Sequence, residues 1–142
     1  MDSSVKNTQE TIVDSGVARI KAVIHHQVPV SDLQNAAKWY VTTLGFELER
    51  EISSESTMAF LHLPDRGAAV HLVKTDDSTR LRITTEGKEN YIIGFYCENI
   101  RALQQKLIDS GSSATLEDAG DCGWWLYFSD IDGNRYFAAE DK

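Results

Sequence analysis

The chain has 142 residues, of which 42% are hydrophobic and 25% are charged, and this composition is typical of one globular domain. Its 14 basic and 22 acidic residues give a net charge of −8, which opposes binding to nucleic acid or to anionic membrane surfaces. No apolar run is long enough for a membrane span, and the first ten residues lack the pattern of a secretion signal. Cys97 and Cys122 show no metal or redox spacing. We therefore predict a cytoplasmic protein with reduced thiols.

The first half of the chain predicts one helix among four strands. Residues 1–17 are polar and aperiodic, which indicates a flexible N-terminal arm before a single domain over residues 18–142. Hydrophobic periodicity predicts the helix over residues 32–44, with Ser31 as N-cap, Gln34 closing a capping box and Gly45 ending the helix. The predicted strands cover residues 19–29, 46–52, 57–63 and 68–74.

The second half repeats this order after a polar stretch, residues 75–90, which we interpret as a linker or a lid. A buried strand is predicted over residues 91–97, and a helix follows with Asn99 as N-cap and Gly111 as its stop. The remaining predicted strands cover residues 114–118, 124–129 and 134–140.

Corresponding landmarks in the two halves are separated by nearly one offset. Helix-opening Leu33 precedes Ile100 by 67 positions, and Gly45 precedes Gly111 by 66 positions. This spacing predicts an internal duplication, with module one at about residues 18–75 and module two at about residues 90–140. The predicted class is α+β, with two βαβββ modules forming a cupped mixed sheet around a shared cleft.

Several motifs resemble those of one known family, the vicinal oxygen chelate superfamily of glyoxalases, bleomycin-resistance proteins and extradiol dioxygenases. The resemblance rests on His25 before Val30-Ser31-Asp32-Leu33, on Trp39-Tyr40, on Leu44-Gly45-Phe46, and on the turn that includes Asp130-Ile131-Asp132-Gly133-Asn134. It covers residues 19–140 and implies the two-module fold. Members of this family include metal lyases, transferases, oxygenases and passive binders, so the resemblance leaves the activity open.

The resemblance also implies where a metal would be bound. In metal-using members the ligands come from four matched strand positions, and in this chain those positions hold His25, His71, Ile92 and Phe137. An open catalytic divalent-metal site usually needs about three protein ligands, and a facial triad needs two histidines and one carboxylate. Module one thus supplies two imidazoles, whereas module two supplies two hydrocarbons. His25 and His71 are candidate ligands of an incomplete site.

The strand phases implied by the resemblance select the residues that face the cleft. The candidate ligand-binding residues are Gln27, Tyr96, Trp125, Tyr127, Arg135 and Phe137. Aromatic side chains with a few polar groups suit a flat or partly apolar small molecule. An inward-facing Arg135 implies either a bound anion or a carboxylate neighbour. His26 is assigned to packing, and His62 to the surface or the cleft rim.

Three functions remain open from the sequence. The first is a metal-independent small-molecule binder with no cofactor. The second is a metal-dependent lyase, transferase or dioxygenase that uses His25 and His71 to hold Zn, Ni, Mn or Fe as a Lewis acid. The third is a subunit without a cavity that acts only through dimer contacts. No catalytic residue is predicted, and the resemblance implies a homodimer in each case.

Overall fold

The computed structural model describes residues 16–65 and 67–142, so most of the predicted N-terminal arm lies outside the described residues. Within these residues, thirteen elements follow one another. Their bounds are β1 His25–Val30, α1 Leu33–Leu44, β2 Glu47–Leu48, β3 Met58–His62, β4 Ala69–Lys74, β5 Ile83–Thr85, β6 Lys88–Asn90, β7 Ile93–Tyr96, α2 Ile100–Asp109, β8 Ala114–Asp118, a 3₁₀ turn Gly120–Cys122, β9 Trp124–Ser129 and β10 Arg135–Glu140.

Two four-stranded sheets with the same topology carry the fold. The first sheet has the order β1-β4-β3-β2, and the second has the matching order β7-β10-β9-β8. In each sheet the first and last strands of the module pair in parallel, and the other pairs are antiparallel. The predicted α+β fold of two βαβββ modules with cupped, mixed sheets is confirmed, and so is the repeat that the helix landmarks indicated.

One hydrophobic core joins the two modules. Alternation along the strands directs Val28, Val70, Leu72, Leu126 and Tyr136 towards the helices, and all are at most 1% exposed. Contacts between rings of the two modules run through this core, because Tyr40 of α1 contacts Tyr136 of β10 and Phe46 contacts Phe95. The opposite faces of both sheets, called the open faces here, therefore point away from the shared core.

The ends of α1 match the prediction only in part. Gly45 adopts a left-handed conformation at φ 80°, as predicted for the residue that ends the helix. The prediction of Ser31 as N-cap was wrong, because the carboxylate of Asp32 accepts the hydrogen bond from the Asn35 backbone N–H. The hydroxyl of Ser31 instead donates to Asp132 Oδ1 at 2.7 Å in the second module. The Ser31 side chain thus bonds to a residue of the second module instead of capping the helix that follows it.

Six of the eight predicted strands are shorter in the structure, and the first two differ most. The first begins at His25 rather than at residue 19, because His25 pairs with Ala69, where β4 also begins. The second was predicted over residues 46–52 but contains only Glu47 and Leu48, which pair with the end of β3. Periodicity marks residues that can form strands, whereas the length of a strand depends on its partner.

The polar stretch between the modules contains a β-hairpin, formed by β5 and β6. Its two-residue loop is Glu86-Gly87, with φ values of 51° and 78°. Positive φ at both loop residues defines the tight turn that best matches the twist of paired strands. The hairpin lies beside the open face of the second sheet, where Glu89 approaches Arg135.

Candidate functional site

Four aromatic rings contact one another on the open face of the second sheet. Phe137 stacks on Tyr91 with ring centres 4.9 Å apart and contacts Tyr127 at 5.4 Å and Trp125 at 5.8 Å. We call these four residues the aromatic face. Trp125, Tyr127 and Phe137 were predicted from the sequence, and strands β9 and β10 bring them together. Tyr91 was missed because it precedes β7 and was interpreted only as part of a buried strand.

The strand pairing explains why these rings gather. Phe137 pairs with Tyr127 across the antiparallel β9–β10 ladder, and Trp125 lies two residues before Tyr127 in β9, on the same face. Gly94 is the partner of Phe137 on β7, and a Cβ atom built on it would lie 3.2 Å from the Phe137 ring. The small residue at position 94 therefore leaves space for the ring of Phe137.

Burial adjusts the chemistry of Tyr127. The pKa of the Tyr127 hydroxyl is raised, mainly because the side chain is partly buried. Glu117 and Tyr91 raise this pKa further. The hydroxyl is therefore protonated at neutral pH and is a hydrogen-bond donor.

Arg135 lies at the edge of the aromatic face, and its carboxylate neighbour is Glu89 of the hairpin. The sequence predicted either such a neighbour or a bound anion. The Nε atom of Arg135 lies 3.8 Å from Glu89 Oε1. The NH1 group of Arg135 donates a hydrogen bond to the hydroxyl of Ser129 at 2.9 Å. A cavity of about 440 Å³ lies between the hairpin and the second sheet, lined in part by Thr115, Tyr127 and Arg135.

His25 and His71 form a stacked pair on the open face of the first sheet. Their ring centres are 4.5 Å apart, and Phe60 contacts His71 edge-on at 4.8 Å. Desolvation, followed by the neighbouring His25, lowers the pKa of His71, whereas Glu49 acts in the opposite direction. Both predicted metal positions are thus adjacent, and the lowered pKa of His71 favours its neutral form.

The remaining predicted residues lie apart from the aromatic face. Gln27 is exposed and pairs with His71 across the β1–β4 ladder. Tyr96 is 63% exposed and borders a separate apolar groove of about 350 Å³ that Phe46, Phe95 and Cys97 also line. Among the described residues, no ring contact joins the histidine pair to the aromatic face. His62 is half-exposed and lies 3.6 Å from Glu47.

The two modules place different chemistry at equivalent positions. His71 pairs with Gln27, and His25 lies two residues before Gln27. In the second module Phe137 pairs with Gly94, and Ile92 lies two residues before Gly94. The strand register therefore makes Ile92 and Phe137 the counterparts of His25 and His71.

These residues do not fit a catalytic divalent metal. The described part of the chain contains no group of three or more histidine, cysteine, aspartate or glutamate side chains arranged to hold a metal ion. Ile92 and Phe137 carry no donor atom, and two imidazoles leave an open catalytic site short of a ligand. We therefore derive no step through a metal.

The turn between β9 and β10 has a role that the sequence did not reveal. The Tyr40 hydroxyl lies 2.5 Å from Asp130 Oδ2 and 2.6 Å from the Tyr136 hydroxyl. Asn134 donates to Asp130 and to the carbonyl of Pro29 in β1. We call Tyr40, Asp130, Asn134 and Tyr136 the inter-module joint. It fixes the start of β10, and so Arg135 and Phe137, relative to module one.

Structural neighbours share this architecture. The antibiotic binding protein TnmS3 from Streptomyces sp. CB03234 matches with a TM-score of 0.67 and 20% identity, covering 89% of this chain and 100% of that chain. The fosfomycin resistance protein FosX from Listeria monocytogenes matches with a TM-score of 0.67 and 17% identity, covering 87% of this chain and 96% of that chain. At such identities these likenesses show the fold alone.

A further neighbour is a glyoxylase/bleomycin resistance protein/dioxygenase domain from Frankia sp. EAN1pec, with a TM-score of 0.64 and 23% identity, covering 87% of this chain and all of that chain.

No curated protein matches the sequence. None of the helices in the described part of the chain is long and apolar enough to cross a membrane. The family model of the Glyoxalase/Bleomycin resistance protein/Dioxygenase superfamily matches residues 22–136, and the chain therefore belongs to that superfamily.

Proposed function

We propose that the chain is a small-molecule binding protein whose ligand lies on the aromatic face. The observation that supports this most is the contact among four rings on the open side of a sheet. Large aromatic side chains dominate the energetics of recognition because each offers a wide apolar surface with a defined geometry. Flat rings prefer offset or edge-on contact with other rings, so the preferred ligand contains a flat, partly apolar ring system.

The neighbours are consistent with a binding role. TnmS3 is described as an antibiotic binding protein, so the fold of this chain is found in a protein that binds a small molecule. The fosfomycin resistance protein covers nearly the same length of this chain. Ile92 and Phe137 offer hydrocarbon contact at the positions where a metal-dependent relative would need donor atoms. The proposed binding therefore uses ring contact and does not need a divalent metal.

We also propose that two chains associate as a homodimer. Both open faces point away from the core, and apolar side chains on or near them are exposed, among them Ile24 at 74% and Ile92 at 49%. Burial of such side chains between two chains is favourable. A second chain that covers the aromatic face would also enclose a ligand bound there.

Calorimetric titration with 2-naphthamide, a flat and neutral probe, tests the binding role. A naphthalene ring that covers about 150 Å² of apolar surface gains about 4 kcal/mol, so we expect a dissociation constant in the millimolar range or below. Trp125→Leu should weaken binding at least about fivefold because it removes one ring of the face. Trp124→Leu is the matched control, since Trp124 immediately precedes Trp125 in β9 and packs against the core.

Equal affinity of both variants and of the wild type would contradict the proposal. The alternative, a metal-dependent enzyme, is tested on the same samples by metal analysis after purification without chelators. A stoichiometric metal that is lost in the His25→Ala, His71→Ala double variant would support the enzyme and overturn metal-independent binding. Light scattering of these samples is expected to give twice the chain mass of 15.9 kDa.

A further inference from the structure

We propose that Glu89 of the hairpin stands in for a ligand carboxylate beside Arg135, so that the aromatic face selects flat rings that carry an anionic group. This inference rests on the proposed function and deepens it. It names the chemical class of the ligand and the residue with which that ligand competes.

The cavity beneath the hairpin borders the aromatic face at Tyr127. Tyr127 belongs to both, because its ring contacts Phe137 and it also lines the cavity of about 440 Å³. The hairpin and strand β8 contribute the other lining residues, which are all polar or charged: Thr85, Glu86, Lys88, Glu89, Asn90 and Thr115. A ring on the aromatic face can therefore extend a polar substituent towards Arg135.

Arg135 has an unused donor at this point. Its side chain is 19% exposed, and its Nε is a buried atom with no hydrogen-bond partner among the described residues. Glu89 Oε1 is 3.8 Å away, which is too far for a hydrogen bond. A buried donor without an acceptor is unfavourable. A ligand atom that accepts a hydrogen bond from Arg135 Nε would therefore make binding more favourable.

The contact between Glu89 and Arg135 is easily replaced. The Glu89 side chain is 57% exposed and is shared with Arg82, whose Nε lies 3.4 Å from Glu89 Oε2. Exposed ion pairs of this kind contribute little, because water screens them and two long side chains must be held in place. A ligand carboxylate that reaches Arg135 with good geometry forms a stronger, charge-assisted hydrogen bond.

The unused donor also decides the sign of the ligand charge. Glu117 lies beside Trp125 in the β8–β9 ladder, and a carboxylate near aromatic rings could attract a cation instead. Glu117 is exposed to solvent, whereas Arg135 Nε is buried and has no acceptor within residues 16–65 and 67–142. The stronger unmet requirement is therefore for an anionic or acceptor group.

Titrations with matched probes and matched variants test this inference. The probes are 2-naphthoate, its neutral amide 2-naphthamide, and 2-naphthylmethylammonium as the cation. Glu89→Gln should bind 2-naphthoate about two- to fivefold more tightly, because the competing carboxylate is gone. Glu55→Gln removes the same charge from an exposed turn of the first module that does not line the cavity, and it should change this affinity less than twofold. Neither variant should alter the affinity for 2-naphthamide.

The wild-type chain should prefer 2-naphthoate to 2-naphthamide at least about fivefold, and Arg135→Gln should abolish that preference. Glu89 is exposed, so its variant will fold even if the Arg135 variant does not. Equal tightening by Glu89→Gln and Glu55→Gln, or a preference for the cation, would overturn the inference and leave the proposed function standing. Binding of none of the three probes would contradict the proposed function itself.

Discussion

Tyr40 has a hydroxyl that is hydrogen-bonded to two residues of the second module, and it is fully buried. Burial is the largest cause that raises the pKa of Tyr40, and Tyr136 and Asp130 act in the same direction. Burial also raises the pKa of Asp130, while its hydrogen bonds from Tyr40 and Asn134 oppose that rise. The network is therefore costly to disrupt, since each member is a buried polar group that depends on the others.

Tyr40→Phe and Tyr136→Phe should differ in their effect on the free energy of unfolding. Tyr40→Phe removes the partner of both Asp130 and Tyr136 and should cost about 1–3 kcal/mol, because buried polar groups lose hydrogen bonds. Tyr136→Phe removes one bond between neutral groups and should cost about 1 kcal/mol, since Tyr40 still donates to Asp130. Urea denaturation of both variants measures the difference. A Tyr136→Phe cost equal to or larger than that of Tyr40→Phe would contradict this account.

At single residues, the sequence predicted burial but not hydrogen-bond partners. The apolar periodicity of α1 correctly placed Tyr40 on its buried face, but periodicity carries no information about the partner of a hydroxyl. Asp130 and Asn134 were interpreted as turn residues, which they are. Their contacts with Tyr40 and Pro29 span about 90 to 105 positions and depend on how the modules pack.

Helix α2 is an element whose start is stabilised from a distant strand. Asn99 occupies the predicted N-cap position, but it has a left-handed conformation at φ 60° and makes no side-chain cap. The carboxylate of Glu140 instead accepts hydrogen bonds from the backbone N–H groups of Asn99 at 2.7 Å and Ile100 at 2.8 Å. The last strand thereby supplies the acceptor that the first turn of the helix needs.

These bonds predict a pH dependence of stability. The backbone N–H groups of Ile100 and then Asn99 lower the pKa of Glu140 below its ordinary value of 4.5. A carboxyl group whose folded-state pKa is lowered stabilises the protein above its unfolded pKa, and this contribution is lost as pH falls through the folded value. Glu140→Gln should therefore reduce Tm at pH 7, with a difference that shrinks as the pH falls below about 4.5.

The measurement is a series of thermal melts from pH 7 to pH 3. Glu117→Gln serves as the control, because Glu117 is an exposed carboxylate of the same sheet. A reduction in Tm by Glu140→Gln that stays constant across this range would contradict the capping role of the carboxylate.

The elements were easier to predict than their connections. Glycine stops, apolar periodicity and alternation located both helices and most of the strands, because these signals are local. The β5–β6 hairpin was not predicted, since its short strands are polar and its loop is Glu-Gly rather than the commoner Asn-Gly or Asp-Gly. That hairpin brings Glu89 to Arg135, so the edge of the candidate site could not be derived from strand patterns alone.

At the scale of the whole molecule, the two modules share a fold but differ in surface chemistry. The open face of the first sheet carries two histidines, and the equivalent positions of the second sheet carry Ile92 and Phe137. The sequence located these four positions through their resemblance to a known family, and the strand register makes them equivalent. It did not locate Tyr91, whose place in the aromatic face depends on how the chain turns before β7.

The three indole N–H signals of the protein labelled with ¹⁵N-tryptophan test the central claim most directly. Trp125 belongs to the aromatic face, whereas Trp39 is buried and donates from its Nε1 to Ser110 Oγ. Trp124 contacts the cationic groups of Arg101 and Lys142 through its ring. Titration with 2-naphthamide should shift the Trp125 signal in a saturable way and leave those of Trp39 and Trp124 in place. Saturable shifts confined to Trp39 or Trp124, or no shift at low-millimolar probe, would contradict binding at the aromatic face.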